Sequence, residues 1–155
     1  MRRTKPEKRL ISPDIRFNSV YVQTFIHHIM KNGKKSVAQR LVYDAFDIVQ
    51  EKTGKNPVEV MENALKNVGP LMEVKPRRVG GATYQVPMEV TADHRVALAI
   101  RWIISASRSR SGHSFSEKFA SEVMDAAVGQ GAAVRKREET HKMAEANRAF
   151  SHYRV

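Results

Sequence analysis

The side chains of this sequence that could do chemistry are cationic, and they fall into short groups. Lys31, Lys34 and Lys35 surround Gly33, and Lys75, Arg77 and Arg78 lead into Gly80-Gly81. His94, Arg101, Ser105 and Arg108 recur along a third stretch that continues into Arg110, and Arg137, His141 and Arg148 recur along a fourth. A fifth group opens the chain, where Arg2, Arg3, Lys5, Lys8, Arg9 and Arg16 face only Glu7 and Asp14. Guanidinium and ammonium groups bind phosphate oxygens by charge-assisted hydrogen bonds, and glycines let backbone N–H groups come close to the same oxygens. The Gly33-Lys34-Lys35 turn lacks the upstream glycine of a Walker loop and has a second Lys where that loop carries its Ser or Thr, so it points to phosphate contact and not to nucleotide hydrolysis.

No residue set points to catalysis. Cysteine is absent, which removes thiol nucleophiles, thiolate metal sites and disulfides together. His27 and His28 are adjacent and diverge on a helix, and no other histidine stands four residues from either. Asp44 and Asp47 share an outward strip with Glu51, the pattern of a solvated face and not of an acid/base pair. No nucleophile elbow or dinucleotide glycine pattern occurs. The expectation is a protein with no catalytic residue, no metal and no cofactor.

Composition sets the partner class. Lys and Arg total 27 against 16 Asp and Glu, a formal charge of +11 with a pI near 10.2. Such an excess repels itself in a compact chain and is matched by a polyanion, with nucleic acid the first choice and an anionic membrane surface the second. At 155 residues and 41% apolar composition the chain has the size and the material for one domain with a continuous core. The first residues lack the apolar stretch of a signal peptide, and the longest apolar run, Val96 to Ile100, is far shorter than the ~20 residues of a membrane span. A soluble, intracellular protein with no membrane partner is expected.

The elements that must position these cations follow from periodicity. Residues 1–16 show no period and contain prolines, so they read as a flexible basic arm. A first helix is expected over 18–31, stopped at Gly33, and a second over about 35–53, with Ala38, Leu41, Val42, Ala45, Ile48 and Val49 on one face. Asn56-Pro57-Val58-Glu59 opens a third, which Gly69-Pro70 ends. From Met72 to Val90 the period falls to two around Gly80-Gly81, which predicts a β-hairpin with a flexible tip, one apolar face and a projecting form. A fourth helix over 92–108 is apolar around most of its circumference and belongs at the centre, with Trp102 as a packing residue. Ser114-Phe115-Ser116-Glu117 caps a fifth helix, and a sixth occupies about 132–150. The fold class is mainly α: one bundle of about six helices with a protruding two-stranded β-arm over 72–90, between the third and fourth helices.

On this framework the ribbon carries its cations toward a thin tip that can enter a groove closed to a helix bundle. Arg101, Arg108 and Arg110 mark an RNA-facing strip on the fourth helix. On the last helix, Arg137, His141 and Arg148 share a face opposite Met143, Ala146 and Phe150, and Glu138, Glu139 and Glu145 partly neutralise it. That face reads equally as a solvated surface or as a contact for RNA or protein. A DNA-binding regulator is the competing reading, but the second helix exposes Asp44, Asp47 and Glu51, which a DNA groove would repel. A membrane-surface protein is disfavoured because no helix pairs a basic face with exposed aromatics.

Several strings carry a family resemblance in unbroken order. They are Phe25-Ile26, Gly33-Lys34-Lys35 with Leu41-Val42 and Ala45, the run from Arg77 to Pro87, the run from Ala97 to Trp102, Met124-Asp125-Ala126-Ala127, and the run from Met143 to Phe150. Together they resemble the family of small-subunit ribosomal protein seven in its bacterial and plastid form. The resemblance implies a helix bundle with a β-ribbon, binding to the 3′ major domain of small-subunit rRNA, and help in starting assembly of the subunit head. It implies that Arg78, Val79, Gly80, Gly81 and Ala82 lie near exit-site tRNA and mRNA. Implied neighbours are small-subunit ribosomal proteins nine and eleven, with one copy of the chain per ribosome, in the cytoplasm or the plastid stroma. Pro76 departs from the small polar residue of similar chains and stiffens the arm.

Overall fold

The structure is a computed structural model that describes residue 7 and residues 9–153. Among these, six α-helices, one hairpin and a closing 3-10 helix follow in the order α1 Val20–Ile29, α2 Lys35–Thr53, α3 Pro57–Val68, β1 Met72–Val79, β2 Ala82–Glu89, α4 Ala92–Ser109, α5 Phe115–Ala127 and α6 Ala132–Ala146, with the 3-10 helix over Arg148–Tyr153. The expected fold class holds, including the place of the ribbon between α3 and α4.

Local sequence accounts for the helix boundaries. The Asn56 side chain accepts the Val58 N–H at 3.0 Å with Pro57 as first helical residue, and Ser114 Oγ accepts the Glu117 N–H at 3.2 Å. One apolar cluster joins all six helices, led by Phe25, Phe46, Met61, Ile100, Ile103 and Phe119. Phe25 of α1 meets Phe119 of α5 edge-on at 5.4 Å. As expected, α4 is central, packing on α1, α3, α5 and α6, but it shares the centre with α5, which packs on α2, α3, α4 and α6. Trp102 packs against this core from its rim, half-buried.

Two carboxylates are buried in places that periodicity does not reveal. Asp14 Oδ2 accepts the N–H groups of Arg16 (3.0 Å) and Phe17 (3.1 Å), while its Oδ1 accepts the Tyr43 hydroxyl at 2.9 Å. Burial above all keeps the Tyr43 hydroxyl protonated. The chain is therefore docked from Asp14 onward, ahead of the boundary at residue 16. Glu122 of α5, 1% exposed, accepts the Ala133 N–H at 2.9 Å and so caps the first turn of α6. Gly131, at φ +96°, gives that carboxylate room, because a Cβ there would lie 2.9 Å from its Oε1.

Two further details differ from the expectation. The sixth α-helix ends at Ala146, and the chain tightens into a 3-10 helix that folds back on β2. The ribbon has no single apolar face, since Val74 pairs with Pro87 and Lys75 with Val86. Directly paired residues share a face, so Met72, Val74 and Pro76 of β1 lie on one side with Pro87, while Tyr84, Val86 and Met88 of β2 lie on the other. Both sides are covered at the base, where Val86 and Pro87 are buried, and both are exposed toward the tip. The tip itself is a two-residue turn in which Gly80 (φ +58°) and Gly81 (φ +88°) both take positive φ, the tight form that matches strand twist.

Candidate nucleic-acid interface

Helix α4 turns Leu98, Ala99, Ile100, Ile103, Ile104, Ala106 and Ser107 inward, which leaves Arg101, Ser105 and Arg108 exposed on its outer strip. A shallow cleft beside this strip is lined by Trp102, Ser105, Ser109, Ala132 and Lys136, so the packing of α6 on α4 adds an ammonium group to the surface. Sequence reasoning missed Lys136, because only the α4–α6 contact places it there. Arg110 has another role. It donates to Glu122 at 2.7 Å and to Asp125, and Asp125 first, against the cost of burial and with Glu122 adding, makes its guanidinium harder to deprotonate. It fixes α5 and the start of α6 to the end of α4.

At the α1–α2 turn, Lys31, Lys34 and Lys35 are all exposed. The Lys34 N–H donates to the Lys31 carbonyl at 3.0 Å and the Lys35 N–H to the Gly33 carbonyl at 2.9 Å, and no side chain caps α2. The positive end of the α2 dipole therefore emerges among three ammonium groups. Arg9 lines one groove with Lys35, Gln23, His27 and Gln39, which brings the N-terminal segment to the same side. Arg16 is held away from that groove, donating to Asp47 at 2.7 Å with its guanidinium 5.1 Å from the Phe17 ring centre and 5.2 Å from that of Tyr43. Arg2, Arg3, Lys5 and Lys8 lie outside the described residues.

On the ribbon, Arg77 and Arg78 are exposed and lie on opposite faces, paired with Tyr84 and Thr83. Lys75 is tied to Glu73 at 2.9 Å, and His94 meets the same carboxylate at 3.2 Å. Burial works to raise the Glu73 pKa, but Lys75 and His94 outweigh it and hold the carboxyl below its ordinary value. The outermost cationic pair of the arm is therefore Arg77 and Arg78. Val79, Gly80, Gly81 and Ala82 complete an exposed tip.

Two basic residues of α6, Arg137 and His141, point inward. Arg137 donates to the Asn67 carbonyl at 2.5 Å, and His141 Nε2 accepts the Leu71 N–H at 3.0 Å. Burial first, then the charges of Arg137 and Arg95, lower the His141 pKa, which favours the neutral ring that such an acceptor requires. Arg95 donates to the Gly69 carbonyl at 3.1 Å, a role no sequence pattern singled out. The side opposite Arg137 and His141 faces solvent, with Met143 49% exposed. Of the three candidates on this segment only Arg148, beyond the helix, is exposed, and it pairs with Glu145 at 3.4 Å.

A division emerges among the described residues. Arg9, Lys31, Lys34, Lys35, Arg77, Arg78, Arg101 and Arg108 are exposed and enter no ion pair. Arg16, Arg95, Arg110, Arg137 and His141 hold the body together. The unpaired set presents point charges and forked donors on four separate segments, an arrangement suited to phosphates spread over an extended surface. No group of three or more His, Asp or Glu residues converges as metal ligands would among the described residues.

Comparison with known proteins agrees with this chemistry. The family model described as ribosomal protein S7p/S5e matches residues 1–148. A small ribosomal subunit protein uS7 of Thermomicrobium roseum is 56% identical over 153 residues, covering 99% of this chain and 98% of the relative. The protein of the same name from Prochlorococcus marinus strain NATL1A is 57% identical with the same coverage. That of Caldanaerobacter subterraneus is 58% identical over 147 residues, 95% of this chain and 94% of the relative.

Proposed function

The chain belongs to the ribosomal protein S7p/S5e family, and from that premise we propose that it binds the 3′ major domain of small-subunit rRNA and helps nucleate assembly of the subunit head. It is a structural protein of the small ribosomal subunit and not an enzyme. The observation that carries the finer reading is the set of exposed, unpaired cations on the α1–α2 turn, the outer strip of α4 and the distal ribbon. Charges so dispersed suit a folded RNA, whose strands cross a protein surface in several directions and are recognised largely by shape. The exposed ribbon tip, from Arg78 to Ala82, is the element that reaches toward exit-site tRNA and mRNA. Ribosomal proteins nine and eleven are the proposed protein neighbours. The solvent-facing side of α6 around Met143 is a surface on which such a neighbour could rest.

The ribbon separates the two functions experimentally. Arg78 pairs with Thr83 and Val79 with Ala82, so excising these four residues preserves register and joins Gly80-Gly81 directly to Arg77 and Tyr84. All four are exposed, so folding stays close to normal, and binding of an rRNA fragment loses no more than the single phosphate contact of Arg78. Subunits assembled with the shortened arm hold exit-site tRNA less well. Loss of rRNA binding on this excision would make the tip an assembly element and remove its assignment to tRNA.

A further inference from the structure

The ribbon also carries a set of rings that phosphate contacts do not use. Tyr84 of β2 stacks on Tyr153 of the 3-10 helix, with centroids 5.0 Å apart and planes 25° from parallel. Phe150 meets the same Tyr84 at 5.4 Å, and His152 rests against Tyr153 at 4.0 Å. Tyr84, Phe150 and Tyr153 are half-buried, and His152 is exposed. Arg77, paired with Tyr84 across the ladder, lies on the same ribbon face, exposed and without an ion pair among the described residues. Among those residues no hydrogen bond engages the hydroxyls of Tyr84 and Tyr153 or the ring nitrogens of His152.

A strap whose only task was to hold the arm against the body could be built from aliphatic side chains. Among the described residues these rings instead keep their polar edges unpartnered, on the ribbon face that carries the Arg77 guanidinium. Ring faces interleaved with cations are the composition of surfaces that stack unpaired bases while holding the strand's phosphates. We propose that the Tyr84–Tyr153–His152 stack is a binding site for one unpaired nucleobase of an RNA strand, with His152 as the ring on which the base stacks and Arg77 as the contact to a phosphate of that strand. The site rests on the RNA-binding reading above and deepens it, since it takes a base and not only backbone charge.

The test uses the full chain and two labelled probes, followed by fluorescence anisotropy near physiological salt. One is a single-stranded oligoadenylate of about ten nucleotides, and the other is an abasic ribose-phosphate strand of equal length. His152→Ala weakens oligoadenylate binding about five- to tenfold and leaves the abasic strand unchanged, and His152→Phe restores the loss. His152 is exposed, so neither substitution disturbs the fold. Equal losses on both probes, no loss on either, or failure of His152→Phe to restore binding would each overturn the site. If the unaltered protein binds both probes equally well, the base site falls while the RNA-binding reading stands. If it binds neither, that reading falls as well.

Discussion

On α4, Arg101 and Arg108 stand seven residues apart with Ser105 between them, and all three are exposed. On α6, Arg137 and His141 stand four apart and both turn into the body, bonded to the Asn67 carbonyl and the Leu71 N–H. In sequence the two strips look alike. The difference lies in what each helix packs against. The inner sides of α4 are taken by apolar partners, which leaves its polar strip to solvent. Helix α6 instead runs past the end of α3, where a last-turn carbonyl lacks an intrahelical donor, and past the start of the ribbon, where an N–H lacks an acceptor. The Arg137 guanidinium and the neutral His141 ring complete the backbone hydrogen bonding at these points. Net charge thus overstates the surface open to a polyanion, because neighbouring backbone groups decide which cations remain available.

The sharpest break in the comparison is expected at Arg110, which follows the exposed strip of α4 yet belongs to the inward class. Glu122→Ala removes its buried partner and the acceptor for the Ala133 N–H together. Urea unfolding should register a loss of about 3–5 kcal/mol, the cost of breaking a buried pair. A loss below about 1 kcal/mol would return Arg110 to the RNA-facing set. Arg137→Ala comes next: removing a charge-assisted bond to the Asn67 carbonyl should cost about 1.5–3 kcal/mol, read from the same unfolding curves. Its affinity for rRNA at low temperature should be unchanged, and a weakened complex would show that α6 also faces RNA.

The smallest effect is on pH dependence. The folded state lowers the His141 pKa from its ordinary 6.5, so the unfolded chain binds a proton more readily than the folded one. The stability this contributes is fully present above pH 6.5 and is lost as pH falls from there toward the lower folded value. His141→Gln keeps an acceptor for the Leu71 N–H without titrating. It should therefore show a smaller drop in melting temperature between neutral and mildly acidic pH than the unaltered protein. Equal drops would mean that His141 does not couple protonation to folding.

Much of this was legible in the sequence, for identifiable reasons. Asn56-Pro57 and Ser114 to Glu117 fixed the starts of α3 and α5, because a cap is a local hydrogen bond and needs no tertiary partner. The outward direction of Arg101 and Arg108 followed from the apolar sides of α4. The ribbon was evident from its period, but its faces were misjudged. A two-residue turn pairs even positions of one strand with odd positions of the other, and Gly80-Gly81 carried that signal unread. The inward turn of α6, the buried Glu122 and the placement of Lys136 beside Trp102 were not legible. Each depends on a residue from a distant segment: Asn67, Ala133 or the α4 surface. The aromatic stack joins positions 84 and 153, which no local pattern links.

The division between available and occupied cations is tested most directly by salt. Binding of an rRNA fragment should be titrated against salt for the unaltered protein, for Arg101→Ala with Arg108→Ala, and for Arg137→Ala with His141→Gln. Each lost phosphate contact lowers the slope of log affinity against log salt by roughly 0.7–0.9. The α4 pair should flatten the slope by about 1.4–1.8 with stability changed by less than about 0.5 kcal/mol. The α6 pair should leave the slope intact and lower the melting temperature. A slope flattened by the α6 pair and untouched by the α4 pair would contradict the account.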